Sequence, residues 1–212
     1  LPDTPAARAE IAQYYQSISR IDQGLGRLLE ILEKAGKLDE TLVLYISDHG
    51  IAMPNAKTTL YEGGMNAPLL VRNPYVAQRG VVSNAMISWV DLTPTLLDFA
   101  GAIDAGTGTV KKEVLDRMPA NRSRTDPQVN NEVRRGQFHG RSFLSRVGQA
   151  SVPAGWDVVY GSHTFHEIQM YYPMRVVRER RYKLIWNIAY PLPFPFASDL
   201  WAAPTWQRQY RQ

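Results

Sequence analysis

Thr41-Leu-Val-Leu-Tyr-Ile-Ser-Asp-His-Gly50 is the stretch on which the fold turns. Leu42 to Ser47 is mostly apolar and partly β-branched, and polar residues and a glycine end it abruptly. That pattern predicts a buried strand. Asp48 and His49 follow at once, and a loop from Gly50 carries Lys57 back toward the same end. In open α/β sheets, ligands bind just beyond the carboxyl ends of the strands. A carboxylate, an imidazole and an ammonium group are therefore expected to converge where such a sheet places its chemistry.

Upstream, residues 5 to 35 read as one long helix. Thr4 suits the N-cap and Pro5 the first helical position. Ile11, Tyr14, Ile18, Ile21, Leu25, Leu28, Leu29 and Leu32 recur at three- and four-residue steps, a broad apolar stripe. Glu30 and Lys34 form an i,i+4 pair, and Gly36 is a natural stop. Gly24 and Gly26 suggest close packing or a bend in the middle. A helix running into a buried strand is half of a βαβ unit.

Downstream, Glu62-Gly63-Gly64 permits unusual backbone angles or a close ligand approach. Leu69 to Arg72 predicts a second short strand, stopped by Asn73-Pro74, and Val82 to Ser88 another extended piece. Asp91 to Gly101 predicts a short helix with an Asp cap, an early Pro and a Gly end. Residues 103–136 are poor in large apolar side chains and read as a long surface insertion. Asn121-Arg-Ser123 inside it fits a glycosylation triplet, a pattern frequent by chance. Gly140 to Leu144 is expected to re-enter the core. Asp157 to Tyr160 predicts a strand, and Met174 to Val177 with Tyr182 to Trp186 a hairpin across a basic turn. The domain boundaries expected are 1–102 for α/β core, 103–136 for the insertion, and 137–212 for the remaining core and the start of a C-terminal subdomain.

The composition narrows the function. With 44% apolar and 21% charged residues, the chain is ordinary for a globular domain. No apolar run reaches the ~18–20 residues of a membrane span. The first residues lack the basic and apolar regions of a signal peptide. There are no cysteines, which removes disulfides, thiolate metal sites and cysteine nucleophiles. The formal charge is +4, with basic residues concentrated from Arg175 to Lys183. That cluster could serve an acidic substrate, but for Arg178, Arg180 and Arg181 the plainer alternative is a solvated turn. No finger, helix-turn-helix or aromatic RNA-binding signature is present, so nucleic acid is not an expected partner.

Asp48 offers hard oxygen donors and His49 a borderline nitrogen, so the two could hold one metal ion with partners from elsewhere. The alternative is an aspartate capping a loop beside a hydrogen-bonded histidine. Lys57 could be a surface lysine, or a cation that neutralises a substrate oxyanion.

Several motifs go further. Tyr14-Tyr-Gln-Ser-Ile-Ser-Arg-Ile-Asp22, Ser47-Asp-His-Gly50, Lys57-Thr-Thr-Leu-Tyr-Glu-Gly-Gly64 and Pro68-Leu-Leu-Val71 resemble, in order and spacing, the second half of a formylglycine-dependent sulfatase. Tyr160-Gly-Ser-His-Thr-Phe-His-Glu167, Met170-Tyr-Tyr-Pro-Met-Arg175 and Pro191-Leu-Pro-Phe-Pro-Phe196 resemble the heparan N-sulfatase (sulfamidase) branch. The resemblance implies an alkaline-phosphatase-like α/β/α sandwich running into a small antiparallel C-terminal subdomain. It implies one calcium ion, ligated by Asp48 and His49, although some sulfamidases carry Asn at the second position. Lys57 matches a sulfate-contacting cation, which is Arg in some sulfamidases. Glu167 and Arg175 match positions near the sugar, and His166 is a further substrate-binding candidate, against a packing or hydrogen-bonding role.

The family's nucleophile arises in a Cys/Ser-x-Pro-x-Arg motif. The nearest string here, Ser151-Val-Pro-Ala-Gly155, lacks the Arg. The resemblance therefore implies a C-terminal portion of a longer enzyme, with the formylglycine and the remaining calcium ligands on an N-terminal half. It also implies a sulfated glycan as substrate, with hydrolysis of an S–N or S–O bond in a sugar such as N-sulfoglucosamine. An extracytoplasmic location follows, and a homodimer stays open. Two alternatives remain at this point: a metal-dependent phosphatase or phosphodiesterase of the same fold, and a non-catalytic module binding sulfated glycans.

Overall fold

A computed structural model describes residues 3–104, 107–117, 138–167 and 171–210. The chain forms two compact units, Leu1–Tyr75 with Tyr160–Gln212, and Val76–Val159. The first unit opens with α1 (Pro5–Lys34). Its start is fixed as the sequence predicts: Thr4 Oγ1 accepts the Ala7 amide at 3.2 Å, and proline occupies the first turn. Gly36, at φ 66°, ends it in the left-handed conformation that glycine reaches without strain. The helix runs through Gly24 and Gly26 without a break, and a methyl on either would meet nothing within 4 Å. The close packing suggested for these glycines is absent. Much of the apolar stripe is exposed, including Tyr14, Ile18, Ile21 and Leu28.

β1 (Val43–Ile46) pairs with β2 (Leu69–Arg72), Ile46 opposite Leu69 and Val43 opposite Arg72. The pair is antiparallel, and no parallel partner for β1 is seen among the described residues. β1 is half-buried rather than buried, with Ile46 exposed. The antiparallel register has a direct consequence for the site. Everything between the strands, residues 47–68, leaves and returns at the same end of the pair.

Within that connection lies α2 (Glu62–Met65). β3 (Val158–Phe165), β4 (Tyr171–Glu179) and β5 (Lys183–Asn187) form a second sheet in that order. β4 and β5 are the expected hairpin, antiparallel with Val176 opposite Ile185. Alternation along β4 sends Tyr172, Met174 and Val176 to one face. There they form a core with Leu60 and Ala189, against which Met65, Ile185 and Phe194 pack. The chain closes with two short helices, α5 (Ser198–Ala202) and α6 (Pro204–Tyr210). Glu10 of α1 accepts the Thr205 amide at 3.2 Å and the Thr205 hydroxyl, satisfying an otherwise orphaned donor at the start of α6.

The second unit centres on α3 (Leu92–Phe99), with α4 (Lys112–Arg117) beyond it. Asp91 gathers the start of α3: its carboxylate accepts the Ser88 amide at 2.9 Å and the Arg141 amide at 2.8 Å. Thr95, fully buried, accepts the Phe143 amide at 3.0 Å, so Gly140–Leu144 does re-enter a core, with Phe143 at its centre. Val82–Ser88 forms no regular strand, although the Met86 amide donates to Trp156. Of the expected insertion, residues 105–106 and 118–136 lie outside the described residues, and the Asn121 triplet with them. Its beginning is ordered: Ile103 and Val110 are buried and bridge to each other. Among the described residues, no helix is long and apolar enough to cross a membrane. Helices with two small sheets keep the α/β character.

One local constraint shapes the connection after β1. The Gly50 amide donates to Gly64 O at 3.2 Å, so the two ends of the loop touch. A methyl on Gly50 would come within 1.6 Å of the Gly63 carbonyl oxygen, which is backbone and cannot swing away. Gly50→Ala is expected to destabilise the protein by about 3 kcal/mol or more. Gly24→Ala, in open helix, is expected to stabilise it by about 0.5–1 kcal/mol. Denaturant melts of both variants check this, and a neutral Gly50→Ala would refute the closed loop.

Candidate functional site

β1 ends at Ile46, and the chain then folds back on its own polar groups. Ser47 Oγ donates to the His49 carbonyl at 2.8 Å, and Asp48 Oδ1 accepts the His49 amide at 3.0 Å. His49 Nδ1 lies 2.8 Å from the Gly50 carbonyl oxygen. A carbonyl only accepts, so Nδ1 carries the proton of this contact, which leaves Nε2 as the ring's candidate metal donor. That atom lies 3.4 Å from Asp48 Oδ2. Asp48 is 84% exposed and His49 42%. Two donor atoms this far apart can share one ion at bond lengths of about 2–2.5 Å. The spacing would let the pair hold one metal ion from one side, with the carboxylate the kind of donor that calcium takes. Among the described residues no group of three or more His, Cys, Asp or Glu side chains gathers to hold a metal.

The loop then aims Lys57. Met53, Ala56 and Leu60 are buried and anchor it, and the Lys57 amide donates to Ile51 O at 3.0 Å. Lys57 is only 16% exposed, and its ammonium group pairs with Asp199 at the start of α5. Asp199 Oδ1 also accepts the Leu200 amide at 2.8 Å. The hydrogen bond from Lys57 holds the Asp199 carboxyl below the usual carboxylate range, with smaller help from Leu200 and the nearby His166. Beside Asp199, Ser198 Oγ donates to Glu167 Oε1 at 2.8 Å, and His166 Nε2 lies 3.9 Å from the same oxygen. Glu167 itself adopts φ 59°.

The expected site residues thus fall into two groups. Asp48 and His49 form one. Lys57, His166 and Glu167 meet around Ser198 and Asp199 in the other. Arg175 joins neither: on the exposed side of β4, its Nη1 donates to the Met174 carbonyl of its own strand at 2.9 Å.

Sequence reasoning missed Asp199. An Asp in a helical first turn is ordinary, and only the fold brings it to Lys57, 142 residues away in sequence. The basic turn is also not what it suggested. Arg178 is largely buried and donates through Nε to Glu62 Oε1 at 2.8 Å, and Lys183 Nζ lies 2.5 Å from the same oxygen. These are the cations that hold the loop, not solvated or substrate-facing charges. Arg180 and Arg181 do remain exposed, the latter over the Tyr182 ring.

Residues 2–102 match the sulfatase family model. That segment belongs to the sulfatase family. The chain is 36% identical over 208 residues to human N-sulphoglucosamine sulphohydrolase, an alignment covering 98% of this chain and 37% of that enzyme. Ulvan-active sulfatase of Formosa agariphila is 33% identical over 101 residues, 48% of this chain and 17% of that protein. N-acetylglucosamine-6-O-sulfatase of Bacteroides thetaiotaomicron is 39% identical over 92 residues, 42% of this chain and 16% of that protein. The chain spans well under half the length of each of these relatives.

The Glu62 cluster has a pH signature. The hydrogen bond from Arg178, then that from Lys183, holds the Glu62 carboxyl below the usual range, against the opposing effect of burial. A depressed folded value stabilises the fold fully above the unfolded value of about 4.3, and the gain is lost as pH falls below it. Glu62 is half exposed, so Glu62→Gln is expected to lose only about 1 kcal/mol at pH 7. The gap between wild type and variant should close as pH falls below about 4. Melting curves from pH 7 to 3 check this, and a gap independent of pH would refute it.

Proposed function

We propose that this chain is part of an enzyme that hydrolyses the sulfate group of a sulfated sugar, with N-sulfoglucosamine the preferred class. The identity to the human N-sulphoglucosamine sulphohydrolase over 98% of the chain carries this proposal. The geometry supports it: a surface-facing carboxylate–imidazole pair and an aimed, mostly buried cation are what an anionic substrate and a metal require.

Asp48 and His49 hold one calcium ion from one side, their donors already 3.4 Å apart and the histidine tautomer set by Gly50. The remaining ligands and the formylglycine belong to the part of the enzyme outside this chain, its N-terminal half. When bound, calcium supplies positive charge that polarises the sulfuryl oxygens. Lys57 binds a sulfuryl oxygen and offsets the negative charge that grows there, a role strengthened by its burial. Glu167 accepts sugar hydroxyls, and His166 pairs with an anionic or polar group of the sugar. Ser198 fixes the Glu167 carboxylate for that task. An extracytoplasmic location accompanies this function.

The test uses the full-length enzyme and measures release from N-sulfoglucosamine, an aryl sulfate and an aryl phosphate, with and without a calcium chelator. Sulfate release from N-sulfoglucosamine is expected, abolished by the chelator and by Asp48→Ala. Lys57→Ala should lower kcat/KM by about 100-fold. Faster turnover of the phosphate, or no sulfate release from either sulfated substrate, would overturn the proposal.

A further inference from the structure

Asp199 places a fixed negative charge against the cation assigned to the substrate. Lys57 is 16% exposed and Asp199 48%, so the pair lies at an accessible edge rather than in a sealed core. The carboxylate is not a floppy surface partner. Its Oδ1 accepts the Leu200 amide at 2.8 Å, and the preceding residue, Ser198, is tied to Glu167 at 2.8 Å. The turn that carries Asp199 is held at both points. An anion arriving at Lys57 therefore meets an ammonium group already neutralised by a carboxylate that cannot swing far.

The consequence depends on the charge of the arriving group. A sulfate monoester or N-sulfate carries one negative charge. A phosphate monoester above its second pKa, about 6, carries two. Against a neutral Lys57–Asp199 pair, the second charge gains no added attraction from the lysine that Asp199 does not cancel. That cancelling repulsion is the whole effect of Asp199 on the second charge, and neutralising the carboxylate removes it. At about 6 Å, one unit of charge on another changes an equilibrium by roughly 3-fold in a water-like medium and by roughly 100-fold at a protein-edge dielectric. The half-exposed position of Asp199 puts the effect near about tenfold.

We propose that Asp199 is a specificity-determining residue that biases the Lys57 site toward monoanionic sulfuryl groups and against dianionic phosphoryl groups. This rests on the sulfatase function proposed above and on Lys57 as the sulfate contact. His166, Glu167 and Ser198 are the other polar groups at this turn, and they stay in place when Asp199 is neutralised.

The test compares kcat/KM for 4-nitrophenyl sulfate and 4-nitrophenyl phosphate at pH 8 in full-length wild type, Asp199→Asn and Asp199→Glu. Asp199→Asn is expected to raise the phosphate-to-sulfate ratio about tenfold, and Asp199→Glu to restore the wild-type ratio. At pH 5, where the phosphate ester is largely a monoanion, the wild-type and Asp199→Asn ratios should converge. If Asp199 merely props Lys57 in place, both activities fall together and the ratio stays constant, which overturns the proposal. Asp199→Ser replaces Asp199→Asn if the latter does not fold. Should neither aryl ester be turned over, the same ratio is read from dissociation constants of phenyl sulfate and phenyl phosphate by calorimetry. A wild type that prefers phosphate refutes the sulfatase function itself. A wild type that prefers sulfate, with no change of ratio in Asp199→Asn, refutes only the role of Asp199.

Discussion

The ion cluster of Glu62 with Arg178 and Lys183 is the contact on which the placement of the site depends. Glu62 belongs to the connection that leaves β1, while Arg178 and Lys183 stand at the tip of the β4–β5 hairpin, more than a hundred residues later in sequence. Lys183 also donates to the Leu60 carbonyl at 3.0 Å. The apolar side of the same junction is the core of Leu60, Tyr172, Met174 and Val176. Apolar burial supplies the affinity between the two pieces, and the charges set their register. Removing Glu62 alone would set the Arg178 and Lys183 charges against each other, and the half exposure of Glu62 keeps that cost near the one of a surface ion pair.

With the loop tied down there, its two functional ends are set by geometry. One end begins where β1 stops, so Asp48 and His49 emerge at the strand terminus. The other is Lys57, carried on a segment whose amide returns to Ile51. Because β1 and β2 are antiparallel, the connection leaves and returns at one end of the pair, and Lys57 is then placed by the loop's own contacts. The C-terminal segment then contributes Asp199 and Ser198 from α5, reached through an aromatic series from Tyr172 through Phe194 and Phe196 to Trp206. Aromatic contacts of this kind, the first two edge-to-face and the last tilted, give a proline-rich segment a defined path without hydrogen-bonded secondary structure.

Elements with local causes were legible in the sequence. The Thr4-Pro5 start and Gly36 end of α1 rest on capping chemistry within a few residues, and the hairpin on alternation and turn composition. Asp48-His49 was legible because a strand end followed by a carboxylate and an imidazole is a local pattern. What stayed hidden depends on distant partners. The stripe on α1 predicts a covered helix, yet Tyr14, Ile18, Ile21 and Leu28 are exposed. Periodicity reports which face is apolar, not what lies against it. Arg178 looked like a solvated charge because its partner sits 116 residues earlier. Asp199 gave no signal at all, since its neighbours in sequence explain it fully as an ordinary first-turn residue.

The backbone around Lys57 departs from local preference in a way that fits its task. Asn55 and Thr58 adopt φ values of 62° and 66°. Asn tolerates that region, but a β-branched threonine does not, and such a residue costs roughly 1–3 kcal/mol when held there. Thr58 Oγ1 is also buried without a hydrogen-bond partner among the described residues. No propensity or packing preference of Thr58 itself favours this arrangement. It persists because the surrounding loop is over-determined, by the Gly50–Gly64 closure on one side and the buried Leu60 on the other. The result is that the residue just before it, Lys57, points at Asp199 rather than into solvent. Strain stored beside an aimed cation belongs with function more readily than with stability, since a relaxed loop would fold as well and place the charge nowhere in particular.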